Sequence, residues 1–321
     1  MKRGLVIGKF MPIHNGHIAL INFAKAHCSE LIISLSYTLH DPIDPQLRYG
    51  WAKEIFKNEP NIKVELILDD FDNENLALPE RTKIWAKKMK EVYPPIHILI
   101  SSEEYGIPFA ENLGAAYLSF NPERNIIPVS ATLIRDNPFK YWEFIPTIVR
   151  PYYVKKICIY GPESTGKSTL AQKLAKLYKT EFVPEVAREL IINNDLTEAD
   201  FIQIAKAQNK RIEDKTKIAN KILFCDTDII TTQIYAKHYL GKYLTELNEY
   251  EDAISYDQYL LLNTDVAWVA DHLRDLGDRR EEMYRIFKQE LVDRNINFIT
   301  VNGNYEQRDQ TVISFVNSLL A

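Results

Sequence analysis

Eight consecutive residues, Gly161-Pro162-Glu163-Ser164-Thr165-Gly166-Lys167-Ser168, keep the order GxxxxGK[ST], and Thr169 follows them. That order suits a phosphate. Glycines let the backbone curl so that its N–H groups converge on one anion. A helix starting at the lysine adds roughly half a positive charge at the same point. Lys167 then reaches the terminal phosphates, and the Ser168 hydroxyl can hold Mg²⁺. A magnesium partner belongs at the end of a second strand, where ILFCDTD offers Asp226 and Asp228. Arg274, Arg279 and Arg280, in VADHLRDLGDRRE, are candidates for a lid that neutralises the moving phosphoryl group. Glu185, in VPEVARE, is a candidate base for a substrate hydroxyl. Plainer readings compete: strand-end caps for the aspartates, an exposed basic helix for the arginines, a surface carboxylate for Glu185.

A second cluster lies near the start of the chain. Gly8, Phe10, Pro12, His14 and His17 fall as GxFxPxHxxH in GKFMPIHNGH, with Lys9 among them. Two histidines three apart suggest a metal, but zinc wants further ligands and none is close in sequence. A phosphate site fits better, with imidazole N–H groups and the start of a helix directed at a triphosphate. Far downstream, Ser130-Ala131-Thr132-Leu133-Ile134-Arg135 offers two hydroxyls and a guanidinium at a helix start.

These loops need rigid carriers. Strand-like runs at 5–8, 31–36, 64–68, 97–101 and 115–120 alternate with helical stretches at 16–27, 46–58, 80–92 and 107–113. A second series has strands at 155–160, 222–226, 259–263 and 296–301, with helices at 167–178, 197–218, 229–240, 279–294 and 306–320. Leu170, Leu174 and Leu177 are expected on one face of the helix after the glycine loop. Such alternation predicts an α/β protein with two parallel-sheet domains, 1–150 and 151–321, joined through the aromatic stretch 137–154. The length of 321 residues suits two domains, and 46% hydrophobic residues allow each a core. A net charge of −5 argues against non-specific nucleic-acid binding. Cys28, Cys158 and Cys225 form no CxxC pair and read as free thiols of a reducing compartment. No secretory leader or membrane span is evident, so a cytoplasmic protein is expected. A homo-oligomer is left open.

GKFMPIHNGH together with SATLIR resembles the nucleotidylyltransferase superfamily. With DNPFKYWEFIPTIVRPYYV, GPESTGKST, DTDIITTQ and WVADHLRDLG, the whole chain resembles NadR-type proteins: a nicotinamide mononucleotide (NMN) adenylyltransferase joined to a ribosylnicotinamide kinase. The resemblance implies a Rossmann-like nucleotidylyltransferase domain followed by a P-loop kinase domain. It further implies ATP as co-substrate, Mg²⁺, and ribosylnicotinamide, NMN and NAD as small-molecule partners. His14, His17, Ser130, Thr132 and Arg135 would take the front half's phosphate roles. Trp85 stands where the family places a tryptophan against nicotinamide, a fitting partner for a pyridinium ring; core packing is the plain alternative. Arg48 is a further candidate contact to NMN. His272 stands where glycine is expected in the family's WVADG. The first strand starts at about residue 4, so no helix-turn-helix is expected ahead of it, and DNA binding is not expected. Two rivals share parts of this pattern. One is a pantetheine-phosphate adenylyltransferase fused to dephospho-coenzyme A kinase; the other is an NAD- and ATP-sensing regulator with little turnover.

Overall fold

The computed structural model describes residues 2–123, 125–191, 195–269 and 276–321. The chain separates into two compact units, Met1–Arg150 and Pro151–Ala321. Each is built on a five-stranded sheet in which every pairing is parallel.

The first unit runs β1 (Arg3–Gly8), α1 (Asn15–Lys25), β2 (Glu30–Tyr37), α2 (Pro45–Ile55), β3 (Ile62–Leu68), α3 (Leu78–Val92), β4 (Ile98–Ser101), α4 (Gly106–Leu113), β5 (Ala116–Ser119) and α5 (Ala131–Asp136). The strand order is β3-β2-β1-β4-β5. Strands covered on both faces are rich in apolar residues, as Leu31, Ile32, Ile33 and Leu35 of buried β2 show; edge strand β3 instead alternates, with Lys63 and Glu65 exposed. Leu5, Ile32, Ile67 and Leu99 pack against Ala86, Met89 and Phe109 of α3 and α4. Chain entry into α2 is fixed by Asp44, whose carboxylate accepts from Gln46 N and Leu47 N, and by Pro45, whose ring suits a first helical turn.

The second unit runs β6 (Lys155–Tyr160), α6 (Lys167–Tyr178), β7 (Phe182–Val183), α7 (Ala187–Leu190), α8 (Glu198–Thr216), β8 (Ile222–Asp226), α9 (Ile229–Leu240), α10 (Asn248–Asp252), β9 (Gln258–Leu262), α11 (Arg280–Asp293), β10 (Phe298–Val301) and α12 (Tyr305–Leu319). Here the order is β10-β9-β6-β8-β7. The two-residue period of β6 divides the core. Ile157 and Ile159 join Leu170 and Leu174 of α6 and Val312 of α12. Cys158 and Tyr160 face Ile230 of α9 and Phe287 of α11 on the other side. Each such buried side chain contributes roughly 2 kcal/mol relative to exposure. Leu177, expected on the α6 core face, is 52% exposed at the helix end; Ala171 and Ala175 take the face instead, their small side chains letting the helix close on the sheet.

In each sheet the first strand of the unit lies inside, and the order turns around it. Such a reversal opens a crevice at the carboxyl end of that strand. Both predicted phosphate loops leave from these points, after Gly8 and after Tyr160. Among the described residues, no helix is long and apolar enough to cross a membrane.

Candidate active sites

Gly8, Lys9, Phe10, His14, His17, Ser130, Thr132 and Arg135 all line one cavity of ≈ 450 Å³ at the end of β1. His14 is the N-cap of α1. Its Nδ1 accepts from Gly16 N at 3.1 Å and His17 N at 3.4 Å, while His17 Nδ1 accepts from His14 N at 3.3 Å. The two rings stack with centroids 3.7 Å apart. With both Nδ1 atoms accepting, a neutral ring carries its proton on Nε2, so each imidazole is a directed donor. One expectation needs correcting. The N–H groups of residues 16 and 17 are engaged by the His14 ring, so the histidines, rather than the start of the helix, supply the donors. Phe10 is buried and meets His17 edge-on at 4.9 Å; it buttresses the histidine. Ser130 caps α5, and Arg135 donates to Met11 O and to Thr132 Oγ1. Distant segments thus reach one cavity.

A second cavity, ≈ 200 Å³, shares Ile7, Gly8, Lys9 and Tyr105 with the first and adds Asp69, Asp72, Arg81 and Trp85. Trp85 stands edge-on to Tyr105 and Phe109, at 5.5 and 5.9 Å. The Arg81 guanidinium lies 5.2 Å over its ring and pairs through two bonds with Asp72. Arg48 is not part of this cavity. Its side chain is fully buried, with bonds to the carbonyls of Lys9, Ile43 and Ser36 and to Asp41 Oδ2 at 2.7 Å. It holds the Lys9 backbone from behind, and a substrate cannot reach it.

In the second unit Gly161 and Gly166 have φ of +139° and +87°. A side chain at Gly161 would meet Leu262 O at 2.9 Å, so both conformation and space call for glycine there. Lys167 Nζ donates to Gly161 O at 2.8 Å and Pro162 O at 2.9 Å. Thr165 Oγ1 donates to Pro162 O; Ser164 Oγ exchanges hydrogen bonds with the backbone of Val269. Thr165, Gly166 and Thr169 border a small recess with Tyr305. Arg308, which no local pattern singles out, braces the loop: it is buried, donates to Thr165 O and Asn263 O, and pairs with Asp265.

A cavity beside this loop is lined by Glu163, Lys167, Glu185, Arg188, Phe201, Gln208, Thr227, Tyr235 and Tyr239, among others. Asp226, at the end of β8, is buried, and its Oδ1 has no hydrogen-bond partner among the described residues. Burial, reinforced by the Glu185 charge, pushes its pKa up to about 6, against the pull of Lys167, the Ser168 hydroxyl and Arg188. A buried carboxylate oxygen without a donor, next to a P-loop serine, fits a hard cation. Among the described residues no group of three or more His, Cys, Asp and Glu gathers as a metal cage. Mg²⁺ asks instead for one or two protein oxygens plus phosphates. Asp228, expected as a second ligand, is engaged elsewhere. Its Oδ1 accepts from Thr231 N and Oγ1 as the cap of α9, and its Oδ2 accepts from Tyr259 at 2.9 Å.

The arginines also divide. Arg280 donates to Val266 O and Ser164 O and lies 5.6 Å over Trp268, so it belongs to the loop. Arg279 does not: it is exposed and pairs with Glu282 one turn on. Arg274 and His272 lie outside the described residues. Glu185 pairs with Arg188 at 3.0 Å.

Fold and sites together define a class: a two-domain α/β protein with a nucleotidylyltransferase-type half ahead of a P-loop half. Residues 156–308 match a family model described as an AAA domain. Over 347 residues the chain is 32% identical to the "Trifunctional NAD biosynthesis/regulator protein NadR" of Escherichia coli (strain K12), spanning 99% of this chain and 83% of the relative. A crystal structure of NadR protein in complex with NR shares the fold with a TM-score of 0.83 at 23% identity, covering 99% of this chain and 95% of that one. Another, of NadR protein in complex with NAD and AMP-PNP, gives 0.81 at 23% identity over 99% and 96%. The chain belongs to the NadR family.

Proposed function

We propose that this chain catalyses two consecutive steps of NAD biosynthesis. The second unit phosphorylates ribosylnicotinamide with ATP to NMN, and the first unit joins NMN to AMP from ATP, giving NAD and pyrophosphate. One observation carries the reading. In the first unit a cavity of phosphate donors, His14, His17 and Arg135, abuts a cavity walled by Trp85, and the two share Gly8 and Lys9. A triphosphate in one and a pyridinium in the other would meet at the end of β1.

In that meeting an NMN phosphate oxygen attacks the α-phosphorus of ATP. The new P–O bond forms as the bond to pyrophosphate breaks. The chain's part is alignment and charge: two imidazole N–H groups and a guanidinium at the departing oxygens. The Trp85 face suits the cationic ring.

In the second unit the 5′-hydroxyl of the nucleoside attacks the γ-phosphorus of ATP, and the new P–O bond forms as the bond to the bridging oxygen of ADP breaks. Lys167 neutralises the transferred group, and Glu185 accepts the hydroxyl proton. Ser168 and Asp226 would hold Mg²⁺, whose charge offsets that of the β- and γ-phosphate oxygens. The apolar side of the cavity, with Phe201, Tyr235 and Tyr239, suits an aromatic base. We place these reactions in the cytoplasm, on small molecules only.

The test is product analysis by mass spectrometry after mixing the protein with Mg·ATP and ribosylnicotinamide. NMN, ADP and then NAD and pyrophosphate are expected. Turnover of phosphopantetheine alone would establish the coenzyme A rival. Tight NAD binding with neither turnover would establish the sensor.

A further inference from the structure

In the cavity beside the P-loop, two lining residues carry a buried donor with no hydrogen-bond partner among the described residues: Thr227, next to Asp226 at the phosphoryl end, and Gln208. Gln208 lies on α8 and is 1% exposed. Its Oε1 accepts from Val186 N at 2.9 Å, which fixes the orientation of the amide. Its Nε2 has no hydrogen-bond partner among the described residues, although the residue lines the cavity. A buried amide donor without an acceptor costs about as much as a lost hydrogen bond, so such groups are rare unless something completes them. Gln208 follows Phe201 by seven positions and Ile204 by four, so the three share one helix face. That face is otherwise apolar, and Leu196, Tyr235 and Tyr239 line the same cavity. The charged lining residues are Glu163, Lys167, Glu185 and Arg188, and the hydroxyls of Thr231 and Thr232 are spent on Asp228. A flat ring seated among Leu196, Phe201 and Ile204 would find Gln208 Nε2 as a buried amide donor with no partner among the described residues.

We infer that Gln208 Nε2 donates to the carboxamide oxygen of the nicotinamide ring and selects carboxamide-bearing ribosides for the kinase. This rests on the kinase reading above. Ribosylnicotinamide carries one acceptor beyond its ribose, the carboxamide oxygen, and a 1-ribosylpyridinium lacks it while keeping the ring charge. A site built around one such donor rejects the analogue without its partner, because the donor is then left unpaired.

The test measures kinase kcat/KM for both ribosides on the full chain and on two variants. Gln208→Glu keeps an oxygen for Val186 N–H and removes the donor. Gln208→Met removes both at similar volume. The wild type should prefer ribosylnicotinamide by about 10- to 100-fold. Both variants should erase that preference by lowering the ribosylnicotinamide value alone. Equal losses on both ribosides would overturn the assignment, since they would mean a ribose contact or a purely structural role. So would a preference that survives Gln208→Glu. If the wild type phosphorylates neither riboside, the kinase reading itself falls, and the assignment with it.

Discussion

Asp41 and Arg48 form a sealed pair behind the histidine cavity, with side chains 4% and 0% exposed. Burial works to raise the Asp41 pKa. Hydrogen bonds from the Thr38 N–H and hydroxyl and the charges of Lys9 and Arg48 outweigh it and hold the carboxyl below the usual range. Asp41→Asn therefore leaves a buried guanidinium without its counter-charge, and should cost about 3 kcal/mol in urea unfolding of the first unit. The pH dependence has a definite sign. A depressed folded-state pKa gives stability that is present above the unfolded value, about 3.9, and lost as pH falls through the folded one. Wild type should thus lose stability on acidification below about pH 4 more steeply than Asp41→Asn. Arg48 entered the sequence reading beside the family resemblance, as a candidate contact to NMN. Spacing alone does not say which side of a loop a guanidinium approaches, and burial decides it here. Trp85 was reached only through the family resemblance, with core packing as the alternative; it lines the second cavity. Gln208 was overlooked, yet a signal existed: Gln208 and Asn209 interrupt the otherwise apolar buried face of Phe201, Ile204, Ala205 and Ile212.

At the level of elements, the turn from β8 into α9 separates two aspartates that look alike in sequence. Thr227 between them has φ of +78°. That twist leaves Asp226 at the strand end and turns Asp228 onto the first turn of α9. Asp226→Asn should abolish ribosylnicotinamide phosphorylation with the thermal midpoint unchanged or higher, because a neutral isostere relieves a buried charge. Asp228→Ala should instead lower the stability of the second unit by about 1–2 kcal/mol, read by denaturant unfolding, because it removes a helix cap. Loss of phosphorylation without loss of stability in Asp228→Ala would reverse the two roles. The cap was readable beforehand, since Asp228 stands three residues before Thr231, the spacing of an N-cap to its N3 partner. The strands and long helices were legible too, their apolar periods being long and uninterrupted. Arg308 was not. It sits on the last helix and braces a loop 143 positions away through Thr165 O, and nothing local in a sequence carries such a pairing.

Across the whole chain, each sheet carries its own candidate phosphate site on its own strand reversal. Single lesions should therefore separate the activities. His17→Ala should reduce NAD formation from NMN by about 10²–10³-fold while sparing riboside phosphorylation. Lys167→Ala should do the opposite, removing phosphorylation and leaving adenylyl transfer intact. Either change silencing both reactions would refute separate sites. The lysine has a second property, which follows from its bonds to Gly161 O and Pro162 O. Its ammonium is a rivet: it cross-ties the two ends of the bend that receives the anion. Shape and charge are thus carried by one atom, and alanine there deletes a strut along with a cation. An arriving phosphate would meet a ring already drawn tight around its counter-ion, and would have to share that ion with the chain that holds it.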